Sequence, residues 1–387
     1  MRVNTLRVHL IIYIGIFLTS VVLRSEPNII YRPPQGYRFH KANSKIESLI
    51  LSAKNLDEVV TILAKDGRGP AFALEGLAKL YDKHYPDELT STFDFAKRLE
   101  DNIGRYVDAT GHRTYATELA WKTPSGSPPN DVIAHLEQEI EEARHALEAV
   151  LIKDRWVATN ERGELIPGAS PRAQLIQKKI DAIEWHGPNQ DRLDVLETFR
   201  KHLQKKIVDR DWDFTELQSG VHELRRRMRW PMIWLHALDG MFVGTNQSIE
   251  GLDGIKRNRS VTESPYTKLP PVSAQYPILL PKTGYYWLSN LVENLGLVKD
   301  VGEAENEWLL EALENSSYRE KGAKTARDTA KILVKTHPKY VTKKSVLPSV
   351  ESTLRDTELF PKMIKRLKKQ ESWSKSKCTR KVKELGS

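Results

Sequence analysis

The residues best suited to bind a charged ligand lie in one short segment, His222-Glu-Leu-Arg225-Arg226-Arg-Met-Arg229. On a helix, His222, Arg225 and Arg229 fall within about 60° of one another, and Arg226 borders the same stripe. Apolar residues fall on the opposite side: Val221, Leu224, Met228 and Leu235. Because each guanidinium can hold two phosphate oxygens, the stripe suits a long, repetitive polyanion. We predict a polyanion-binding site at these four residues; a solvated basic helix face is the alternative.

Other kinds of chemistry find little support in the sequence. His222-Glu223 begins like the zinc motif His-Glu-x-x-His, but Arg226 stands at the position of the second histidine. The single cysteine, Cys378, permits neither an intrachain disulfide nor a thiolate metal site. We find no nucleophile with a partnered base and no Gly-rich phosphate loop. We therefore predict a non-catalytic protein without a metal or a cofactor.

The basic excess of the chain is concentrated at its C-terminal end. The formal net charge is +9 at pH 7, but from Arg319 onward 20 Lys and Arg stand against 7 Asp and Glu. This segment has a balance of +13, and the preceding part has −4. Such segments contact polyanions or membrane surfaces, or form solvated helices. We predict a basic helical tail over residues 319–387 that contacts polyphosphate, lipid or nucleic acid.

The N-terminal residues have the features of a targeting segment. Arg2 and Arg7 precede an apolar run of 14 residues, Leu10–Leu23. This length is typical of a signal-peptide core and is short for a membrane-spanning helix. The cleavage sequence is poor, so retention as an anchor is an alternative. We predict a signal peptide or anchor over residues 1–25, export to the periplasm or cell envelope, and a linker over residues 26–45.

From Ile46 onward, apolar residues recur at spacings of three and four, which is typical of amphipathic helices. Alternating patterns bounded by hairpin turns are nearly absent. The hydrophobic fraction of 40%, with nine Trp, suffices for a buried core. We predict an all-α protein with two helical bundles, over residues 46–160 and 161–318, the second of which carries the His/Arg helix.

A ten-residue segment of the first half matches one of the second half without gaps. Leu99–Asp108 and Leu291–Asp300 share Leu, Asn, Gly and Asp at four positions. Each glycine permits a close backbone approach, or a left-handed turn at a helix end whose Asp then caps the next helix. We predict two equivalent corners at Gly104 and Gly296, and two bundles related by duplication.

The helix with His222, Arg225 and Arg229, followed by Leu-Gly-x-x-x-Asp at 295–300, resembles the CHAD family, the conserved-histidine α-helical domains. The signature helix of that family carries His, then Arg three residues on, then Arg four after that. The resemblance implies two packed, pseudo-repeated four-helix bundles that bind inorganic polyphosphate in a basic groove. In arrangement it covers roughly residues 70–315, whereas in sequence it rests on these short motifs.

The chain departs from the family pattern in two places. No His-x-x-Arg-x-x-x-Arg helix precedes Gly104, where Phe72–His84 is nearly uncharged on one side. Pro231 directly follows the basic residues and is expected to kink their helix. We predict binding of polyphosphate or another polyanion without chemistry. The alternative is a scaffolding protein at the cell envelope that has lost the ligand site and binds a protein partner.

Overall fold

The computed structural model describes residues 34–162, 164–245, 269–271, 276–355 and 358–385. These residues are mostly helical, which confirms the prediction of an all-α protein. The predicted N-terminal segment 1–25 lies outside them. The helices are α1 (Pro34–Leu51), α2 (Leu56–Ile62), α3 (Arg68–Tyr81), α4 (Pro86–Thr117), α5 (Asn130–Lys153), α6 (Pro171–Ala182), α7 (Pro188–His202), α8 (Glu223–Ala237), α9 (Lys282–Asn306), α10 (Trp308–Glu314), α11 (Ala323–Val334), α12 (Lys343–Arg355), α13 (Leu359–Gln370) and α14 (Lys375–Leu385).

Shorter elements join these helices. π-Helical turns precede α3 at Leu63–Gly67, follow α7 at Leu203–Val208 and precede α8 at Leu217–His222. Two short parallel strands, β1 (Phe242–Thr245) and β2 (Ile278–Pro281), pair with Phe242 opposite Ile278. The sequence predicted neither strand, because a four-residue strand gives almost no periodic signal.

Local signals account for several helix ends. Asn55 caps α2, where its side-chain oxygen accepts a hydrogen bond from the Glu58 backbone N–H at 2.9 Å. Proline stands in the first turn of α4, α6 and α7, where a missing N–H costs no intrahelical bond. With 32 residues, α4 spans about 48 Å and runs past both of the buried cores described below.

The linker prediction is wrong over residues 34–45, because these residues form most of α1. Arg38 is buried there and donates hydrogen bonds to the Asp191 carboxylate at 3.0 Å and to the Tyr81 hydroxyl at 2.9 Å. Pro34 occupies the helix start, where proline is tolerated. These contacts with distant residues outweigh a local composition that resembles a linker.

Buried apolar side chains form two cores. The larger core draws on residues from Phe39 to Leu367, on both sides of the bundle boundary predicted at residues 160–161. Helices α3 and α8 pack against each other within it, where the Trp234 indole N–H donates to the Gly76 carbonyl at 2.8 Å. The smaller core joins the end of α4 and the start of α5 to α10 and α11. The two halves of the chain therefore share one interior.

The C-terminal segment is helical, as predicted, but it is packed against the body of the protein. The buried face of α13 belongs to the larger core: Leu359, Phe360, Met363, Ile364 and Leu367. The Gln370 side chain exchanges two hydrogen bonds, each of 2.8 Å, with the backbone of Leu279 in β2. Residues 359–370 are therefore a layer of the fold, and only their other face is open to solvent.

Candidate functional site

A groove of about 820 Å³ runs between α8 on one side and α3, α4 and α5 on the other. The α8 side includes three of the four predicted site residues, His222, Arg226 and Arg229. These residues are spaced by four and three positions, so they follow one another along one helix face. The fourth, Arg225, points instead toward α9.

His222 ends the π-helical turn that leads into α8 and is half-buried. Its Nδ1 lies 2.9 Å from the Gln218 side-chain oxygen and 3.7 Å from a Glu303 carboxylate oxygen. The pKa of His222 is lowered, first by burial and then by nearby cations, Lys299, Arg225, Arg226 and Arg229. We call His222 and these four cations the cation cluster. The neutral imidazole thus donates from Nδ1 to Gln218, in a locally positive field.

Arg225 packs on a glycine of the neighbouring helix. A Cβ atom added to Gly296 of α9 would lie 3.1 Å from Arg225 Nε and 3.6 Å from its guanidinium carbon. Arg225 Nε is buried and has no hydrogen-bond partner among the described residues. A buried donor without a partner is costly, so this N–H favours an added acceptor.

Arg226 and Arg229 are in different surroundings. Arg226 is 56% exposed and binds Glu223 of its own helix, with its Nε and a terminal nitrogen 2.8 Å and 2.6 Å from the same carboxylate oxygen. The guanidinium of Arg229 lies 4.4 Å from the ring centre of Phe72 in α3. Arg226 is therefore the most accessible cation of α8, and Arg229 is held across the groove.

Pro231 does not end the basic helix, because α8 continues through it to Ala237. A proline at this position leaves the Arg227 carbonyl without its intrahelical donor. That carbonyl accepts a hydrogen bond of 2.8 Å from His202 Nε2. Burial lowers the pKa of His202 to about 4, so the ring is a neutral donor at physiological pH. His202 thus supplies the hydrogen bond that Pro231 removes.

The prediction of two corners at Gly104 and Gly296 is wrong in its geometry. Gly104 lies inside α4 and Gly296 inside α9, and the aspartates that were expected to cap a following helix lie one turn further along the same helices. Neither glycine lies at a helix end or admits a neighbouring backbone; each instead lies under an arginine side chain. A Cβ atom on Gly104 would lie 2.7 Å from a terminal nitrogen of Arg68. Both glycines therefore make room for a guanidinium from another helix.

Arg68 was missed from the sequence because no histidine precedes it at the family spacing. It is the first residue of α3, and its Nε donates to Glu100 at 2.9 Å while a terminal nitrogen donates to Asp108 at 3.3 Å. Burial raises the pKa of Glu100, and the charge of Arg68 opposes that shift. The available signal was the ten-residue match itself, which places Gly104 between Glu100 and Asp108.

The wall opposite α8 is acidic. Carboxylates outnumber Arg and Lys among the residues that line the groove. The carboxylates are Glu75, Glu100, Asp101, Asp108, Glu139, Glu142 and Glu311, and the cations are Arg68, Lys97, Arg105, Arg226 and Arg229. Glu75 is only 2% exposed, and burial followed by the charge of Glu100 raises its pKa to about 7. The α8 wall of the groove is therefore positively charged, and the opposite wall carries most of the negative charge.

The described residues show neither a metal site nor a membrane-spanning helix, and known proteins give no significant match to the chain. Within the described residues, no group of three or more His, Cys, Asp and Glu side chains is arranged to hold a metal ion. None of the described helices has the length and apolar character needed to cross a membrane. Comparison of the chain with models of known families, with curated proteins and with solved structures gives no significant match.

Proposed function

We propose that the protein binds a polyanion at the cation cluster, without chemistry, and that inorganic polyphosphate is the ligand. The observation that carries this proposal is that His222, Arg226 and Arg229 line one wall of the groove, with Arg225 on the same helix. Cations at fixed helical spacing can each meet a phosphate of a repeating chain. The choice of polyphosphate comes from the resemblance to the CHAD family.

The unpartnered Arg225 Nε supports the same proposal. The cations of the cluster differ in how far carboxylates already satisfy them. Arg226 is bound to Glu223, and Lys299 is bound to Glu303 at 2.6 Å. Arg225 brings a buried donor without an acceptor, next to a half-buried histidine. A phosphate oxygen at this point would satisfy Arg225 and stabilise the protonated form of His222.

The proposal includes two helical bundles related by duplication. Its support is that Arg68 lies on Gly104 as Arg225 lies on Gly296, at matching positions of the ten-residue segments. A π-helical turn precedes both α3 and α8, the helices that carry the two arginines. In this interpretation Arg68 belongs to a first site that Glu100 and Asp108 have closed.

The test is a titration with long-chain polyphosphate at two salt concentrations, with single-stranded DNA as the competitor. We expect salt-sensitive binding, because phosphate contacts release counterions, and little displacement by DNA. Arg225→Glu with Arg229→Glu should reduce the affinity by about a hundredfold or more, through loss of two charge-assisted contacts. The helical circular dichroism signal should remain unchanged.

A double charge reversal elsewhere is the matched control. Lys45→Glu with Lys178→Glu changes the net charge equally at exposed positions of α1 and α6. If this variant loses as much affinity as the arginine variant, binding depends on net charge and the cation cluster is not the site. Equal displacement by DNA would also contradict a polyphosphate site.

A scaffolding role is the second candidate, and the acidic wall of the groove is the observation that favours it. A polyanion in the groove would face Glu75, Glu100 and Glu139 across from α8. A scaffold would bind no polyphosphate and would copurify with a protein partner whose capture tolerates Arg225→Glu with Arg229→Glu. Polyphosphate binding that depends on these two arginines would exclude loss of the ligand site.

We also propose that residues 1–25 direct export to the periplasm or cell envelope, by cleavage or as an anchor. The support is the sequence pattern of Arg2, Arg7 and the apolar run Leu10–Leu23. Cell fractionation followed by N-terminal sequencing tests this. Recovery of the full chain from the cytoplasm would contradict export, and a new N-terminus near residue 25 would identify cleavage.

A further inference from the structure

The C-terminal helices present a second basic surface, separate from the cation cluster. On α13 the exposed positions include Lys365, Lys368 and Lys369, and on α14 they include Lys375 and Lys383. We name these five residues the lysine face. We propose that the lysine face docks on a membrane surface that contains anionic phospholipid, a role beyond the proposed binding of polyphosphate.

Among the described residues, no carboxylate neutralises the charges of the lysine face. None of its five lysines forms an ion pair with a described residue, whereas neighbouring Lys362 and Lys381 bind Glu358 and Glu384. The nearby Glu371 carboxylate binds Arg200 of α7 at 2.9 Å. The ammonium groups are therefore available to an external anionic surface, where each adds to the attraction.

The face is held in place by the core beneath it. Leu367 on the opposite side of α13 is buried, as is Gln370, whose backbone carbonyl accepts a hydrogen bond from buried Arg192. An amphipathic helix that binds lipid through its apolar face would have to leave the core. With that face buried, contact with a membrane is restricted to the lysines and is electrostatic.

The position of α1 relates the lysine face to the N-terminal apolar run. Gln35, at the start of α1, donates to the His186 carbonyl just before α7, and α13 ends against Arg192 and Arg200 of α7. The start of α1 is thus attached just before α7, and the end of α13 is attached to α7 itself, a helix of 15 residues about 22 Å long. Buried apolar area and electrostatic attraction to anionic lipid both add to membrane affinity, so an apolar segment and a basic patch reinforce each other.

The surroundings of the face favour lipid over single-stranded nucleic acid. Base stacking needs exposed aromatic rings beside the cations. Trp373 lies between α13 and α14, but it is only partly exposed and the Lys377 ammonium lies 5.3 Å from its ring centre. Tyr276 is likewise partly buried and lies 5.7 Å from the Lys375 ammonium. The surface therefore offers charge without a stacking platform.

The experiment is vesicle flotation of the full chain with phosphatidylcholine alone or with about 30% phosphatidylglycerol, at low and high salt. Lys365→Gln, Lys368→Gln, Lys369→Gln and Lys375→Gln are combined in one variant. We expect its partition to anionic vesicles at low salt to fall at least tenfold, since each lysine near such a surface contributes. Partition to neutral vesicles should equal that of the wild type.

The matched control removes four exposed lysines from other parts of the chain: Lys45, Lys54, Lys65 and Lys178. Its glutamine variant has the same net charge and should partition like the wild type. Equal partition of both variants to anionic vesicles would overturn the proposal. So would a variant that keeps lipid binding and loses only DNA binding. Polyphosphate titration of the lysine-face variant separates this surface from the cation cluster.

Discussion

In two places in this protein an arginine side chain lies on a glycine of a neighbouring helix, but only one of the two arginines has a carboxylate partner within the described part of the chain. In the first, Arg68 of α3 lies on Gly104 of α4 and binds the carboxylate of Glu100. In the second, Arg225 of α8 lies on Gly296 of α9, with a buried Nε that has no partner among the described residues. The first contact is a closed ion pair, whereas the second leaves a donor for a ligand.

One position in the ten-residue match explains the difference. Glu100 stands one turn before Gly104, and the matching residue one turn before Gly296 is Val292, which is buried. The match keeps the glycine that admits a guanidinium and the aspartate one turn after it. Only the first segment has a carboxylate one turn before the glycine, at Glu100. Similar packing therefore specifies neither the charge nor the function of a site.

The largest expected effect is on stability. Arg68→Ala removes the partner of the nearly buried Glu100 and should cost about 3 kcal/mol of unfolding free energy, because a buried carboxylate is left unpaired. Arg225→Ala leaves no carboxylate without a partner and should cost less than about 1 kcal/mol. Chemical denaturation of both variants measures the difference, with Arg68→Lys as the control that keeps the charge. Equal losses would contradict the comparison.

The pH dependence of stability should differ between α3 and α8. Glu75 of α3 has a pKa raised from 4.5 to about 7, so its contribution to stability is complete below pH 4.5 and is lost as the pH rises through 7. Glu75→Gln should therefore gain about 2 kcal/mol over the wild type at pH 8 and little at pH 5.

His202, which donates a hydrogen bond to α8, should affect the pH dependence of stability in the direction opposite to Glu75. Its pKa is lowered from 6.5 to about 4, so its contribution is complete above pH 6.5 and is lost as the pH falls through 4. His202→Gln should reduce the loss of stability between pH 6.5 and 4. Denaturation curves across pH 4–8 test both substitutions, and identical pH profiles for wild type and both variants would contradict these assignments.

A single substitution should make the second contact resemble the first. Val292→Glu places a carboxylate one turn before Gly296, where it can bind Arg225 and compete with a phosphate. We expect about tenfold weaker polyphosphate binding, since one charge-assisted contact is lost. Val292→Gln is the control of equal size without the charge. If both variants bind polyphosphate equally weakly, the loss of affinity comes from altered packing and not from an ion pair with Arg225.

The converse substitution should have the smallest effect. Glu100→Gln removes a carboxylate from the acidic wall and leaves Arg68 with Asp108 alone at 3.3 Å. We expect polyphosphate to bind about twofold to threefold more tightly, because one repulsive charge in the groove is removed. Glu88→Gln, at an exposed position of the same helix, is the control. Weaker binding in Glu100→Gln would place the ligand outside the groove.

Much of the helical architecture was predictable from the sequence. The spacing of apolar residues from Ile46 onward predicted amphipathic helices, and α5 (Asn130–Lys153) is one of them. The linker prediction, which rested on composition, failed for α1, where buried contacts of Arg38 with Tyr81 and Asp191 stabilise the helix. Composition reports local preference, and tertiary contacts can override it.

The candidate site was predictable only in part. The spacing predicted that His222, Arg225 and Arg229 share one helix face with Arg226 beside them. In the structure His222, Arg226 and Arg229 line the groove, and Arg225 faces α9. Arg68 was missed because its role depends on α4 passing beside α3. The acidic wall was missed for the same reason, since its carboxylates come from helices separated along the chain.

By itself, the sequence determined the helical class, the concentration of basic residues in 319–387 and the stripe of cations on α8, because these depend on residue types at short spacing. The tertiary structure alone decided which cations are neutralised, how the carbonyl freed by Pro231 is satisfied, and that α13 is a layer of the core. The physical reason is that burial and ion pairing depend on distances between segments far apart in the chain. Those distances are fixed by packing of the whole interior and not by any local pattern.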